Sequence, residues 1–90
     1  MRVVADCTRT DEGWVCDVRV GDDDGATRHR VTVRDATMRG LAPAAEDPTE
    51  LVRRSFDFLL EREPRESILS AFDLEVIGRY FPEWPRAINS

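Results

Sequence analysis

The sequence predicts a small α+β domain, in which a three-stranded antiparallel β-meander is followed by about three α-helices packed on one sheet face. Apolar residues alternate with period two up to residue 34, and after residue 46 they recur with a period near 3.6. The length of 90 residues suits a single domain. We therefore expect one domain over 1–90, with the meander in 1–34, a loop in 35–46, a helical part in 47–84 and a tail in 85–90.

Three β-strands are predicted at residues 2–9, 14–20 and 27–34. The stretches TDEG and GDDDGA separate them and are rich in the Asp and Gly that tight turns require. The alternation predicts an inward face made of Val3, Ala5, Cys7, Trp14, Cys16, Val18, Val20, His29, Val31 and Val33.

A tight turn at Asp11 and Glu12 fixes the register of the first two strands and places Cys7 opposite Cys16 in a non-hydrogen-bonded pair. We expect adjacent, reduced thiols, because cysteines of cytosolic proteins are rarely bridged. An oxidisable redox pair is the alternative.

Residues 35–46, DATMRGLAPAAE, are predicted to form a crossing loop with room for one helical turn. A helix should then run from an N-cap at Asp47, with Pro48 in its first position and Glu50 completing a capping box, to about Arg62. It should end there because Pro64 disfavours a helical conformation in its predecessor.

Two shorter helices, PRESIL and LEVIGRY, are expected after this point, the second capped by Asp73, alone or with Ser70, and ended by Pro82. The apolar density of residues 55–84 predicts core construction rather than a recognition surface. The residues expected to be mostly buried are Phe56, Leu59, Leu60, Ile68, Leu69, Phe72, Leu74, Ile77 and Phe81.

Three stretches resemble a family of short prokaryotic conserved hypothetical proteins: the strands W-x-C-x-V-x-V and T-x-H-x-V-T-V, and the segment ELVRRSFDFLLEREPRESILSAFDLEVIGRYFPEW. The C-terminal segment carries most of the likeness. The resemblance implies that the chain is a whole protein of this family. It supplies no site, because the family has no assigned activity, catalytic residue or ligand.

Composition and motifs argue against several function classes. The net charge of −5 disfavours general attraction to nucleic-acid phosphates or anionic lipid. No signal-peptide core or membrane span is recognisable, so we expect a cytoplasmic protein without membrane contact. Gly-x-Ser-x-Gly and phosphate-cradling glycine loops do not occur, so we expect no enzyme, no catalytic residue and no cofactor.

Three candidate constellations have simpler structural explanations. His29 is expected as a partly buried structural histidine; a zinc site of Cys7, Cys16, His29 and a carboxylate is the alternative, but its spacing matches no familiar zinc module. GDDDG lacks the continuation of a calcium loop and is expected as a solvated turn. SILSAFDLEVIGRYF echoes a helix-turn-helix, although its second helix offers too few polar groups for base readout. No metal is expected.

The outward sheet face is the least ordinary feature of the sequence. Alternation places five arginines there against Asp6 and Asp17, which gives the face a charge of +3: Arg2, Arg19, Arg28, Arg30 and Arg34. A solvated face with cross-strand Arg–Asp pairs is the structural alternative. The terminal YFPEWP is expected either as a lid over the core or as an exposed aromatic anchor.

These observations favour a small non-catalytic interaction module that self-associates or binds a protein partner through a sheet edge, the arginine face or the aromatic tail. The candidate partner-binding residues are Arg19, Arg28, Arg30, Arg34 and Trp84. The alternative is a small nucleic-acid-associated regulator that uses the same arginine face.

Overall fold

The computed structural model describes residues 2–22 and 24–89 and contains a four-stranded mixed sheet. Strands β1 (Val3–Arg9), β2 (Gly13–Val20) and β3 (Thr27–Arg34) form the antiparallel meander that the sequence predicts. A fourth strand, β4 (Ala71–Asp73), pairs with β3 in parallel and was not predicted. A strand of three residues shows no periodicity, and a parallel partner lies far from it in sequence.

The described residues form four α-helices. Two of them lie between β3 and β4, namely α1 (Asp35–Leu41) and α2 (Thr49–Leu60), and two follow β4, namely α3 (Val76–Tyr80) and α4 (Trp84–Ile88). A short 3-10 turn, Arg65–Ser67, replaces the predicted helix PRESIL. The helices enclose the inward face of the sheet, where α2 packs against β1 and α1 against β3. The fold is therefore α+β, as predicted, with one strand and one helix more than expected.

The register of the first hairpin is the one predicted from the tight turn at Asp11 and Glu12. The Thr10 N–H donates to the Gly13 carbonyl over 2.8 Å, so the turn has two central residues, and Cys7 lies opposite Cys16. Gly13 itself is required by packing, because a Cβ atom there would collide with the Val33 carbonyl oxygen of β3. The predicted inward positions of β2 and β3 are buried, except for a half-buried Trp14, and those of β1 are half-buried.

The predicted loop over 35–46, with room for one helical turn, is wrong in extent, because α1 begins directly after β3 and spans Asp35–Leu41. The Asp35 N–H donates to the Glu12 carbonyl over 3.1 Å, and the Asp35 carboxylate accepts two hydrogen bonds from the Arg9 guanidinium. These contacts tie the first turn of the helix to the end of the first hairpin. They are long-range in sequence, which explains why composition alone indicated a loop.

The predicted tail over 85–90 is also wrong, since α4 occupies Trp84–Ile88 with a proline in its first turn. The N-terminus of α2 is close to the prediction: Asp47 accepts a hydrogen bond from the Thr49 N–H over 2.9 Å. Asp73 likewise accepts one from the Glu75 N–H over 3.0 Å, just before α3.

The core confirms most of the predicted burial. Phe56 and Leu74 are fully buried, Leu59, Ile68 and Ile77 nearly so. The partly buried members of the predicted set are Leu60, Phe72 and Phe81.

Leu69 contradicts the prediction, because 54% of it is exposed. Its carbonyl oxygen, which lies 2.7 Å from the buried His29 ring, faces the interior in place of its side chain. No helix among the described residues has the length and apolar character that crossing a membrane requires.

Candidate functional site

The outward sheet face carries its charged side chains in cross-strand rows. One row runs from Val4 through Arg19 to Arg28, and the next contains Asp6 opposite Asp17. All five residues are exposed, and the two rows border an open depression of about 530 Å³.

Two of the predicted partner-binding arginines are engaged by aspartates of the chain itself. The Arg30 Nε lies 3.6 Å from the Asp17 Oδ1, directly across the strand pair. The Arg34 Nε lies 2.8 Å from the Asp73 Oδ2, and the other oxygen of Asp73 holds the chain before α3. Arg34 therefore fastens β4 to β3. This role was not predicted, because it depends on a strand that the sequence did not reveal.

Arg19 and Arg28 differ from the other two. They lie directly opposite each other on β2 and β3, and neither has an ion-pair partner within residues 2–22 and 24–89. Like charges directly opposite each other on a sheet are destabilising, by up to about 1 kcal/mol. Because no described carboxylate pairs with either guanidinium group, both can donate hydrogen bonds to an external anion.

Including Asp73 from β4, the face carries five arginines against three aspartates, a charge of +2. Arg2 lies at its margin, where its Nε is 3.9 Å from the Asp22 Oδ1. The basic surface is therefore smaller and more interrupted than the sequence indicated.

Trp84 is not available to a partner, contrary to the prediction. Only 2% of it is exposed, and its Nε1–H donates to the Ser55 hydroxyl over 3.1 Å. The Ser55 hydroxyl in turn donates to the Leu51 carbonyl over 2.8 Å. Trp84 therefore fastens α4 to α2 inside the core, so the expectation of an exposed anchor is wrong for this residue, whereas Tyr80 of the same stretch is exposed.

His29 is a structural histidine with both ring nitrogens occupied. A carbonyl oxygen can only accept, so the Nδ1–H donates to Leu69 over 2.7 Å, and Nε2 accepts from the Thr27 hydroxyl over 2.9 Å. The ring also packs against Phe56 at a centroid distance of 5.3 Å. Both ring nitrogens are therefore engaged within the fold, as expected of a structural histidine.

The two cysteines form a disulfide, which corrects the prediction of reduced thiols. The register brings the Cα atoms of Cys7 and Cys16 to 4.0 Å, so their sulfurs lie within bonding reach. Because both sulfurs are bonded to each other, neither is available as a thiolate ligand for the alternative zinc site. Among the residues that the structure describes, no cluster of three or more His, Cys, Asp or Glu side chains could hold a metal ion.

No protein-family model, curated protein or solved structure matches this chain. The resemblance of its C-terminal segment to short prokaryotic proteins therefore stays a prediction.

Proposed function

We propose that the chain is a non-catalytic protein-interaction module, which binds a carboxylate-bearing segment of a protein partner through Arg19 and Arg28. The observation that carries the proposal is the direct cross-strand opposition of these two arginines without an ion-pair partner among the described residues. An anion placed between them relieves their mutual repulsion and accepts hydrogen bonds from both planar guanidinium groups.

A protein carboxylate is favoured over a nucleic-acid backbone by the charges around the pair. Asp6 and Asp17 lie opposite each other in the next row of the same sheet face, and Asp17 is two residues before Arg19 on β2. A phosphate chain would have to pass these carboxylates, and it would meet a molecule of net charge −5. A short acidic segment needs only the arginine pair. A second copy of the chain is one possible source of that segment, since the protein carries 18 acidic residues.

The test measures binding of two fluorescein-labelled probes to the full chain by fluorescence anisotropy: a hexaglutamate peptide and a single-stranded oligothymidylate. The test variant is R19Q/R28Q. The matched control is R30Q/R34Q, which removes the same charge from the same face but takes arginines already paired with Asp17 and Asp73.

We expect hexaglutamate to bind, and R19Q/R28Q to weaken its binding at least about tenfold while the control changes it less than about threefold. Equal losses in both variants would indicate general electrostatic attraction and contradict the proposal. Tighter binding of oligothymidylate, with an affinity that falls steeply between about 50 and 200 mM salt, would support the nucleic-acid alternative instead.

Folding of the variants is checked by thermal melts, in which R19Q/R28Q should stay within about 1 kcal/mol of the parent because both side chains are exposed. Sedimentation of the parent and of R19Q/R28Q shows whether the acidic segment comes from a second copy.

A further inference from the structure

A second surface, which adjoins the depression beside Arg19 and Arg28 at the Leu69–Ser70 peptide, combines an apolar groove with one acidic side chain. The groove has a volume of about 290 Å³ and lies where the end of α2, the connection to β4 and α3 meet. Leu59 and Ile77, both buried, form part of its floor. Leu69 and Tyr80 lie on its rim.

The rim of this groove carries exposed apolar side chains. Among the described residues, three large hydrophobic side chains are exposed, and two of them line this groove: Leu69 at 54% and Tyr80 at 72%. A chain of 90 residues needs nearly all of its large apolar side chains inside to fold. Two such side chains left outside on one groove therefore indicate a surface that a partner covers.

Glu63 is the charged residue that lines the groove, and its carboxylate lacks a partner within residues 2–22 and 24–89. The neighbouring arginines are occupied elsewhere. Arg62 lies 3.6 Å above the Phe58 ring centroid and donates to the Phe58 carbonyl. Arg65 pairs with Glu66 and donates a hydrogen bond to the carbonyl of Val20, the last residue of β2. Glu63 is half-buried as a residue, and its carboxylate is a negative charge beside an apolar groove without a partner among the described residues.

We propose that this groove binds a short segment of a protein partner that places a large apolar side chain between Leu69 and Tyr80 and an arginine or lysine against Glu63. Charge complementarity selects this occupant. An acidic segment would face repulsion from Glu63, and a purely apolar one would leave the carboxylate partly desolvated and unpaired. The proposal is independent of the arginine pair, which lies on the outward face of the sheet.

The test is a selection from a phage-displayed library of random peptides, performed in parallel on the immobilised full-length chain and on E63Q. We expect the parent to enrich peptides in which a large apolar residue lies within a few positions of an arginine or lysine. Selection on E63Q should enrich apolar residues without the basic preference. A synthetic copy of the best peptide is then titrated against purified variants by fluorescence anisotropy.

The variant L69S should weaken that peptide at least about tenfold, and E63Q should do so by a similar factor. The matched control E61Q neutralises an exposed carboxylate two positions away that contacts Arg62, and it should change the affinity less than about threefold. Y80S repeats the apolar test if L69S fails to fold.

Several results would overturn the proposal. One is the absence of enrichment on the parent, or enrichment of acidic peptides. Another is an affinity that survives L69S, Y80S and E63Q together. Loss of binding in R19Q/R28Q but not in L69S would assign the peptide to the arginine face. A dimer of the parent that L69S dissociates would make a second copy the occupant, in place of a different protein.

Discussion

The free energy of unfolding of a Trp84→Ala variant tests whether Trp84 is a core residue or an exposed binding residue. Trp84 is 2% exposed and Tyr80, four residues earlier, is 72% exposed, so W84A and Y80A remove large aromatic groups from opposite environments. Removal of a buried Trp side chain costs about 3–5 kcal/mol, through lost burial and the cavity that remains. At about 0.05–0.15 kcal/mol per residue, the whole chain is stable by only roughly 5–13 kcal/mol. W84A should therefore lose a large part of the total, whereas Y80A should stay within about 0.5 kcal/mol.

The polar half of the Trp84 contact is measured separately with Ser55. S55A leaves the buried Trp84 Nε1–H without an acceptor, which should cost about 1–3 kcal/mol. In a W84F background no such donor exists, so S55A should cost about 1 kcal/mol less there than in the parent. The difference between these two costs is the coupling energy of the pair.

Urea unfolding followed by far-ultraviolet circular dichroism measures all of these free energies, because the signal does not depend on the tryptophan that is removed. A W84A variant that unfolds cooperatively within about 1 kcal/mol of the parent would refute the burial argument. Such a result would return Trp84 to the surface as a candidate anchor.

Three further predictions concern contacts that stabilise the sheet and the start of α1. The hydrogen bonds from the Arg9 guanidinium hold the pKa of the Asp35 carboxyl below its usual value, so this ion pair stabilises the fold above the unfolded-state pKa and stops doing so as the pH falls through the lowered folded-state pKa. The melting temperature of D35N should therefore fall less steeply at acid pH than that of the parent. An equally steep fall in both proteins would contradict this role of Asp35. G13A should cost about 1–3 kcal/mol because its methyl group meets a β3 carbonyl, whereas the control G40A, with no atom within 4 Å, should gain up to about 1 kcal/mol in urea unfolding; a reversed order would sink the packing argument. Reduction of the Cys7–Cys16 disulfide, which spans a sequence separation of 9, should lower the free energy of unfolding by about 2–3 kcal/mol, and two reactive thiols in the untreated folded protein would show that the bond is absent.

The meander was predictable because each of its determinants is local. Period-two alternation assigned the inward faces, and the two-residue turn at Asp11 and Glu12 then left one register, which the structure confirms at Cys7 opposite Cys16. The start of α2 was readable for the same reason, since Asp47 caps a backbone N–H only two residues away.

The missed elements depend on contacts between residues distant in sequence. Strand β4 is held by pairing with β3 and by the ion pair of Asp73 with Arg34. Helix α1 is held to the first hairpin by the pairing of Asp35 with Arg9. One signal for α4 was present, a proline in its first turn, which is a preferred position for proline in helices.

Each of the two proposed surfaces contains a charged side chain that has no ion-pair partner among the described residues. The chain has 13 basic residues, all arginine, and composition does not indicate which of them hold the structure together. Arg9 fastens a helix and Arg62 covers an aromatic ring, so the fold already occupies both guanidinium groups. Within residues 2–22 and 24–89, Arg19 and Arg28 have no ion-pair partner, and neither has the Glu63 carboxylate, because Arg62 and Arg65 contact other groups. The two surfaces adjoin at Leu69 and Ser70 but differ in sign, so an acidic segment bound at the arginine pair should not displace a basic segment bound at the groove.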